Sequence, residues 1–224
     1  MFNGTTKAYI SVVVCLGALF IALSAWHIQV ADGALTATFC ALAVFGGALK
    51  VKVPGVNGNI SLSFLPLCLS TAFLTLPETI LLTAVATLVQ SVAFARKSRA
   101  VQAAFNVSAL SVSIGLAGLA GEIFSSTQMP LIRLGIVSTF YYVLNSALVT
   151  TVIGLTSGKS PAAVWEDCLR LYLPYFFAGL FCATVALSGG HGDDRNRPQT
   201  AGLVTVSLML LARQYLKTTA RRAA

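Results

Sequence analysis

The sequence predicts an all-α integral membrane protein with about eight transmembrane helices. Hydrophobic residues make up 56% of the 224 positions and charged residues only 10%, against about 25% charged in an ordinary soluble domain. Such a chain has too little polar surface to form a water-soluble globule. Apolar runs of membrane-spanning length and a one-sided distribution of the cations between them indicate the same class.

Eight apolar segments are candidates for crossing about 30 Å of hydrocarbon. The first and the fifth to seventh are long enough to do so without help. The second, third and eighth are near or below the usual minimum of about 17 residues, so one of them could be tilted, re-entrant or interfacial. The segments are 9–28, 34–49, 60–76, 79–95, 101–121, 131–155, 165–187 and 201–216.

The first apolar segment has two interpretations. Residues 8–25 could be a signal peptide, whose removal would leave seven spans and an external amino terminus. However, the run exceeds the usual length of about 7–15 residues, and Leu23-Ser24-Ala25 is a poor small-x-small cleavage site. A membrane-spanning first helix is therefore the favoured interpretation.

Proline and glycine mark the boundaries of the following segments. Pro-Gly at 54–55 indicates a loop after the second segment, and Leu-Pro-Glu at 76–78 predicts a tight turn that makes the third and fourth segments a hairpin. Pro66 and Pro174 lie inside the third and seventh segments. There they should kink the helix and free backbone carbonyls for a ligand or a neighbouring helix.

The cations divide unequally between the two sides of the predicted bundle. With both termini in the cytoplasm, twelve of the fifteen Lys and Arg residues fall on the cytoplasmic side, and only Arg133, Arg195 and Arg197 fall outside. The densest group lies at 96–99, between the fourth and fifth segments. It predicts a cytoplasmic loop that fixes orientation, with contact to lipid headgroups or a partner as the alternative.

Residue patterns typical of enzymes, metal sites and nucleic-acid binders are missing from the sequence. His27 and His191 have no second ligand at a useful spacing, and no Gly-rich phosphate loop, G-x-S-x-G or H-E-x-x-H is present. The cations lie in small groups between apolar runs rather than along one polar face. We therefore expect a non-enzymatic protein without metal, cofactor or nucleic-acid partner. Its five cysteines are expected to be packing residues: Cys15, Cys40, Cys68, Cys168 and Cys182.

Neutral polar residues inside the predicted spans are the candidates for a functional site, because such residues cost free energy in hydrocarbon unless they face a cavity or another helix. They could simply hydrogen-bond between helices, at about 0.6–2 kcal/mol per contact. They could instead converge on a ligand cavity, since three amides come from three neighbouring segments. The candidate ligand-binding residues are Ser61, Ser63, Gln90, Asn106, Tyr142 and Asn145, with Pro174 shaping the wall.

Transport coupled to protons or sodium is disfavoured. Such carriers place a charged residue at mid-membrane, whereas every acid and base here lies near a segment end or in a loop. The segments also do not divide into two similar halves with matching broken helices. Among the small-x-x-x-small pairs, Ala37 and Ala41 in the short second segment form the cleanest surface for close approach by a partner helix.

Several short motifs point to a family. Residues 53–92 combine a polar loop with a small-residue hairpin. They are followed by Phe-Asn at 105–106, Tyr-x-x-Asn at 142–145, Gly-x-Ser-Pro at 158–161 and Leu-Pro at 173–174. The hairpin resembles the second and third helices of S-components of energy-coupling-factor vitamin transporters. The whole set more closely resembles the vitamin-uptake-like membrane sensor modules found ahead of HD-type phosphodiesterase and diguanylate cyclase domains.

The resemblance covers about residues 34–216. It implies a six-helix S-component-like core at 34–187 with one added helix at each end, within a single membrane domain over 1–224. It also implies a multi-pass protein of the bacterial inner membrane, for which the cation distribution places both termini in the cytoplasm. The sequence departs from the sensor pattern because it stops at Ala224 without a catalytic output domain. Signalling would then need a separate partner.

The favoured function is binding of a small neutral or weakly polar ligand in the lipid bilayer, as a sensor or substrate-binding module. A sensor would shift its last helix and basic tail, 213–224, against a cytoplasmic partner or anionic lipid. One alternative is the substrate-binding subunit of an ATP-driven vitamin-type transporter, with Ala37 and Ala41 docking on a membrane partner. Another is a structural membrane protein without ligand.

Overall fold

The computed structural model describes residues 3–49, 51–52, 59–93, 100–124, 130–158, 160–166 and 206. Two short antiparallel strands, β1 (Val51–Lys52) and β2 (Asn59–Ile60), interrupt an otherwise helical chain. Residues 161–166 are also helical. The main helices are α1 (Gly4–His27), α2 (Gly33–Ala48), α3 (Phe64–Ser70), α4 (Leu76–Ala93), α5 (Ala100–Phe124) and α6 (Pro130–Ser157).

Four of these helices, α1, α4, α5 and α6, are long and apolar enough to cross a membrane, and α2 is a shorter apolar helix. The predicted helical membrane class is therefore confirmed, whereas the count of eight spans is not. All but three residues of the predicted segments 165–187 and 201–216 lie outside the described residues. The four long helices and α2 begin and end within a few residues of the predicted segments.

Helix α5 lies at the centre of the described bundle and packs against α1, α4 and α6. Its sequence has three glycines spaced three residues apart, and a Cβ atom at Gly115, Gly118 or Gly121 would collide with a side chain from a different neighbouring helix. The glycines thus let three helices approach α5 closely. The three side chains seated on them are Phe20 of α1, Leu76 of α4 and Val137 of α6.

Helix α1 is fixed to α5 and α6 along much of its length. Gly17 lies directly against Ser108 of α5. Nearer the amino terminus, the Tyr9 hydroxyl donates to the Leu148 carbonyl at 3.0 Å, and the Thr6 hydroxyl donates to the Leu155 carbonyl at 3.3 Å. The beginning of α1 therefore lies beside the end of α6.

The predicted third span, 60–76, is wrong as a continuous helix. Helix α3 has only seven residues, about 10 Å of length, which cannot cross a bilayer. The Leu62 N–H nevertheless donates to Gly46 at the end of α2, and Thr36 near the start of α2 contacts Glu78. The segment thus runs alongside the whole of α2, and its backbone is irregular on both sides of α3. Irregular backbone is possible within a bilayer here because residues 62–71 are buried inside the protein.

The two local features predicted for this region also need correction. Pro66 does not kink a span, because it lies in the first turn of the short α3, where its missing N–H needs no intrahelical acceptor. Residues 76–78 are not the turn but the first turn of α4. The chain reverses over 71–75, and Thr75 then caps α4. Its N–H donates to Glu78 Oε2 at 2.9 Å, while the Glu78 N–H donates to Thr75 Oγ1 at 3.4 Å.

Two apolar clusters of buried residues are used below. The inner cluster includes residues of α3, and the α1 cluster lies where α1 meets α5. The inner cluster joins residues from α2 to α6, and partly buried Tyr142 packs against it. Its members are Leu49, Leu62, Phe64, Leu65, Cys68, Ile80, Ile114, Ala117, Val137 and Tyr141. The members of the α1 cluster are Ile10, Val13, Phe105 and Ala109.

Candidate ligand site

Hydroxyl groups supply nearly all of the buried polar side chains. Within the described residues, every buried polar or charged side chain except Glu78 is a serine or threonine. Several of these hydroxyls donate to a carbonyl of their own helix, as Thr83 does to Thr79 at 2.7 Å and Ser113 to Ala109 at 2.7 Å. Apart from Glu78, the buried polar groups of the described residues are therefore neutral.

The sequence-based prediction emphasised the Asn and Gln side chains and did not include this hydroxyl-rich interior. A signal for it exists on α4, where Thr79, Thr83, Thr87 and Ser91 recur every four residues and are all buried. Residues four apart lie on one face of a helix, so the spacing alone indicates a polar stripe facing other helices.

A few buried polar atoms have no hydrogen-bond partner in the described part of the chain. Buried polar atoms are nearly always paired, so such atoms mark places for a water molecule or a ligand. One of them belongs to a predicted site residue, because Asn145 Oδ1 is buried and accepts no hydrogen bond. The others are Thr79 Oγ1, Ser111 Oγ, Arg133 Nε and Trp165 Nε1.

Ser61 and Ser63 lie in the turn before α3 rather than inside a spanning helix. Their hydroxyl oxygens are hydrogen-bonded to each other at 2.8 Å. Ser63 is buried and Ser61 is partly buried. The turn fits against α2 because Gly46 has no side chain to block the backbone of Leu62 and Ser63. The pair is therefore held at the carboxyl end of α2.

Helix α6 passes this serine pair in the opposite direction to α3. The Cys68 and Ser138 side chains are hydrogen-bonded, and further along both elements Phe64 and Tyr141 share the inner cluster. Continuing this antiparallel pairing by one turn, we infer that Asn145 lies at the level of the serine turn, about halfway along α6. The residues Ser61, Ser63, Tyr142 and Asn145 are called the inner polar site below.

The remaining predicted ligand residues differ in their relation to this site. Gln90 packs on Gly47, next to the residue that receives the Leu62 N–H, so it borders the serine turn from α4. Asn106 is partly buried and follows Phe105 of the α1 cluster in the chain. Pro174 lies outside the described residues.

The predicted docking pair lies on the outward face of α2. Ala37 and Ala41 are both exposed, whereas Phe39, Ala43 and Gly46 on the other faces of the helix are buried. In the described structure the pair is therefore accessible to lipid or to another protein.

Glu78 is the buried charged residue that sequence reasoning placed only at a segment end. Its side chain is 1% exposed. One carboxylate oxygen accepts from Thr36 Oγ1 of α2 at 3.2 Å, and the other accepts from the Thr75 hydroxyl at 2.8 Å as well as from its N–H. The carboxylate therefore joins the beginning of α2 to the beginning of α4.

The Gly-x-Ser-Pro motif has a structural role at the end of α6. Gly158 has φ +71°, and its N–H donates to the Gly154 carbonyl at 2.9 Å. Such a left-handed residue at a helix end favours glycine. Ser160 Oγ then accepts from the Ala163 N–H at 3.2 Å, and Pro161 begins the next helical stretch.

The MASE9 family model matches residues 11–186. The chain belongs to the MASE9 family. MASE9 is a membrane sensor-type domain, so the predicted resemblance is confirmed at the level of this domain type. The match includes all of the predicted ligand-binding residues, from Ser61 to Pro174. No curated protein and no solved structure matches the chain, and the comparisons support neither the vitamin-uptake nor the S-component likeness.

Proposed function

We propose that this MASE9 chain is a non-enzymatic sensor module that binds a small neutral or weakly polar ligand at the inner polar site. Family membership supports the sensor role. The neutral hydroxyl and amide groups of the inner polar site support the ligand class, because they offer no opposite charge to a charged ligand. We further propose a bacterial inner-membrane location with both termini in the cytoplasm.

The observation that carries this proposal is the buried Asn145 Oδ1, which has no hydrogen-bond partner in the described part of the chain. Leaving a buried carbonyl oxygen without a donor costs about 1–3 kcal/mol, and a ligand with an N–H or O–H group would remove that cost. One serine hydroxyl of the pair donates to the other, which leaves one O–H and several lone pairs, so the pair can also accept from a ligand donor. We therefore expect a hydrogen-bond donor with an apolar body.

The test is native mass spectrometry of the full chain purified in mild detergent. We expect a retained small molecule in the wild type and its loss in Asn145→Leu and in the Ser61→Ala/Ser63→Ala double variant. Asn106→Leu is the matched control, because it makes the same change in a partly buried amide of α5 that is not a member of the inner polar site. It should retain the molecule.

Two results would overturn the ligand proposal. One is equal retention of the small molecule in the wild type, Asn145→Leu and the double serine variant. The other is an empty wild type together with a higher melting temperature for Asn145→Leu, since the amide would then be only a packing residue with an unpaired oxygen.

A transporter subunit is the second candidate function, favoured by the exposure of Ala37 and Ala41 on α2. Small residues at this spacing allow close approach of a partner helix in a membrane. The same mass spectra separate the two functions, because a docked membrane partner adds the mass of a second protein chain.

A further inference from the structure

The end of the bundle where α4 and α6 begin and α5 ends contains an open cleft of about 600 Å³. It is lined by residues 71–77 on one side and by Glu122 and Arg133 on the other, and we call it the outer cleft. Its volume is within the range of about 300–1,000 Å³ that is usual for small-molecule sites. We propose that the outer cleft binds a small aliphatic zwitterion of the α-amino acid class, its carboxylate on Arg133 and its ammonium on Glu122.

The ion pair in this cleft is only loosely engaged. Arg133 Nη2 and Glu122 Oε1 are 3.6 Å apart, beyond the roughly 2.7–2.9 Å of a charge-assisted hydrogen bond. Arg133 Nε is buried and has no acceptor among the described residues. The guanidinium therefore keeps donors free for a carboxylate, which it can bind through two parallel hydrogen bonds.

The pairing of opposite charges selects against singly charged ligands. A simple anion on Arg133 would lie beside the Glu122 carboxylate, and a simple cation on Glu122 would lie beside the guanidinium. Each would meet a like charge, which disfavours binding. A zwitterion offers both charges in complementary order and leaves the cleft with no net change in charge.

The wall at 71–77 supplies acceptors and apolar surface rather than further donors. The Thr71 hydroxyl donates to the Cys68 carbonyl at 2.7 Å, and the Thr75 hydroxyl donates to Glu78 at 2.8 Å. Leu76 and Pro77 line the cleft and are partly exposed. An ammonium group and an aliphatic side chain suit this wall better than a ligand rich in acceptors.

Isothermal titration calorimetry with L-leucine tests this proposal on the full chain in detergent. Two analogues each lack one charge: 4-methylpentanoate lacks the amine, and 3-methylbutylamine lacks the carboxylate. We expect L-leucine to bind, and each analogue to bind at least about tenfold more weakly. Arg133→Gln and Glu122→Gln should each weaken L-leucine binding by about tenfold or more.

The interior variant Asn145→Leu should leave L-leucine binding unchanged, so the outcome for this cleft is independent of the outcome for the inner polar site. A melting curve for each variant establishes that it is folded, and either charge variant alone is sufficient if the other does not fold. The proposal is overturned by no binding to folded wild type at about 10 mM L-leucine, by equal binding of 4-methylpentanoate, or by binding that persists in a folded charge variant.

Discussion

Glu78 is the single buried charged side chain in the part of the chain that the structure describes. Hydropathy and spacing placed it at a segment end, where an acid needs no explanation. The fold instead surrounds its carboxylate with donors from Thr75 and from Thr36, a residue 42 positions away. Only the cap contributed by Thr75 was readable from the sequence, as Thr-x-x-Glu before an apolar run.

Replacing Glu78 by Ala should destabilise the protein. The change leaves the Thr75 N–H and the Thr75 hydroxyl without their acceptor, at about 1–3 kcal/mol. For a chain of this size, about 2–4 °C of melting temperature corresponds to each kcal/mol. Circular dichroism in mild detergent should therefore show a melting temperature lower by several degrees.

Glu122→Ala is the matched control for this change, because the Glu122 side chain is 48% exposed and its ion pair is long. Its melting temperature should remain close to that of the wild type. A Glu78→Ala variant as stable as Glu122→Ala would show that the joint between α2 and α4 contributes nothing to stability.

At the scale of elements, glycine decides how closely the helices approach. Gly17 of α1 lies against Ser108 of α5 without space for a side chain, whereas a Cβ at Gly135 of α6 would have no atom within 4 Å. Both glycines lie inside long apolar helices. Their local sequences therefore do not distinguish the packed position from the open one.

This difference predicts opposite effects of the same substitution. Gly17→Ala should lower stability by about 1–3 kcal/mol, because the added methyl group collides with α5. Gly135→Ala should be neutral or stabilising by up to about 1 kcal/mol, because alanine favours a helix and meets nothing. Melting curves in one detergent measure both, and a Gly17→Ala variant at least as stable as Gly135→Ala would contradict the close packing of α1 on α5.

At the scale of the whole molecule, three charged residues of the described chain share one end of the bundle. Glu78, Glu122 and Arg133 lie around the outer cleft or directly beside it. Lys7 begins α1 at the other end, beside the end of α6. Because these two ends are separated by the length of the long helices, they should lie on opposite sides of a membrane.

The proposed orientation predicts a labelling pattern in cells. On a background with all five cysteines replaced by Ala, Glu122→Cys should react with a membrane-impermeant maleimide added outside. Lys7→Cys should react only after permeabilisation, because the excess of cations places that end in the cytoplasm. The unsubstituted background is the control for non-specific labelling. Reversed labelling of the two variants would place the amino terminus outside.

The composition and the apolar runs were sufficient to determine the helical membrane class and the positions of α1, α2, α4, α5 and α6. This is because transfer into lipid depends on the summed hydrophobicity of a segment. Hydrophobicity of that kind does not say which face of an all-apolar helix meets protein. The interior location of Glu78, the hydroxyl stripe of α4 and the neighbours of Asn145 were therefore decided by the tertiary structure alone.

The same reason explains the short α3. Its segment is apolar enough to suggest a span, but residues 62–71 are buried by protein on all sides, and such burial removes the requirement for a continuous helix. The sequence by itself determined the membrane as the solvent and helix as the main structure. The tertiary structure decided where irregular backbone is allowed and which polar groups meet, because both depend on contacts between residues far apart in the chain.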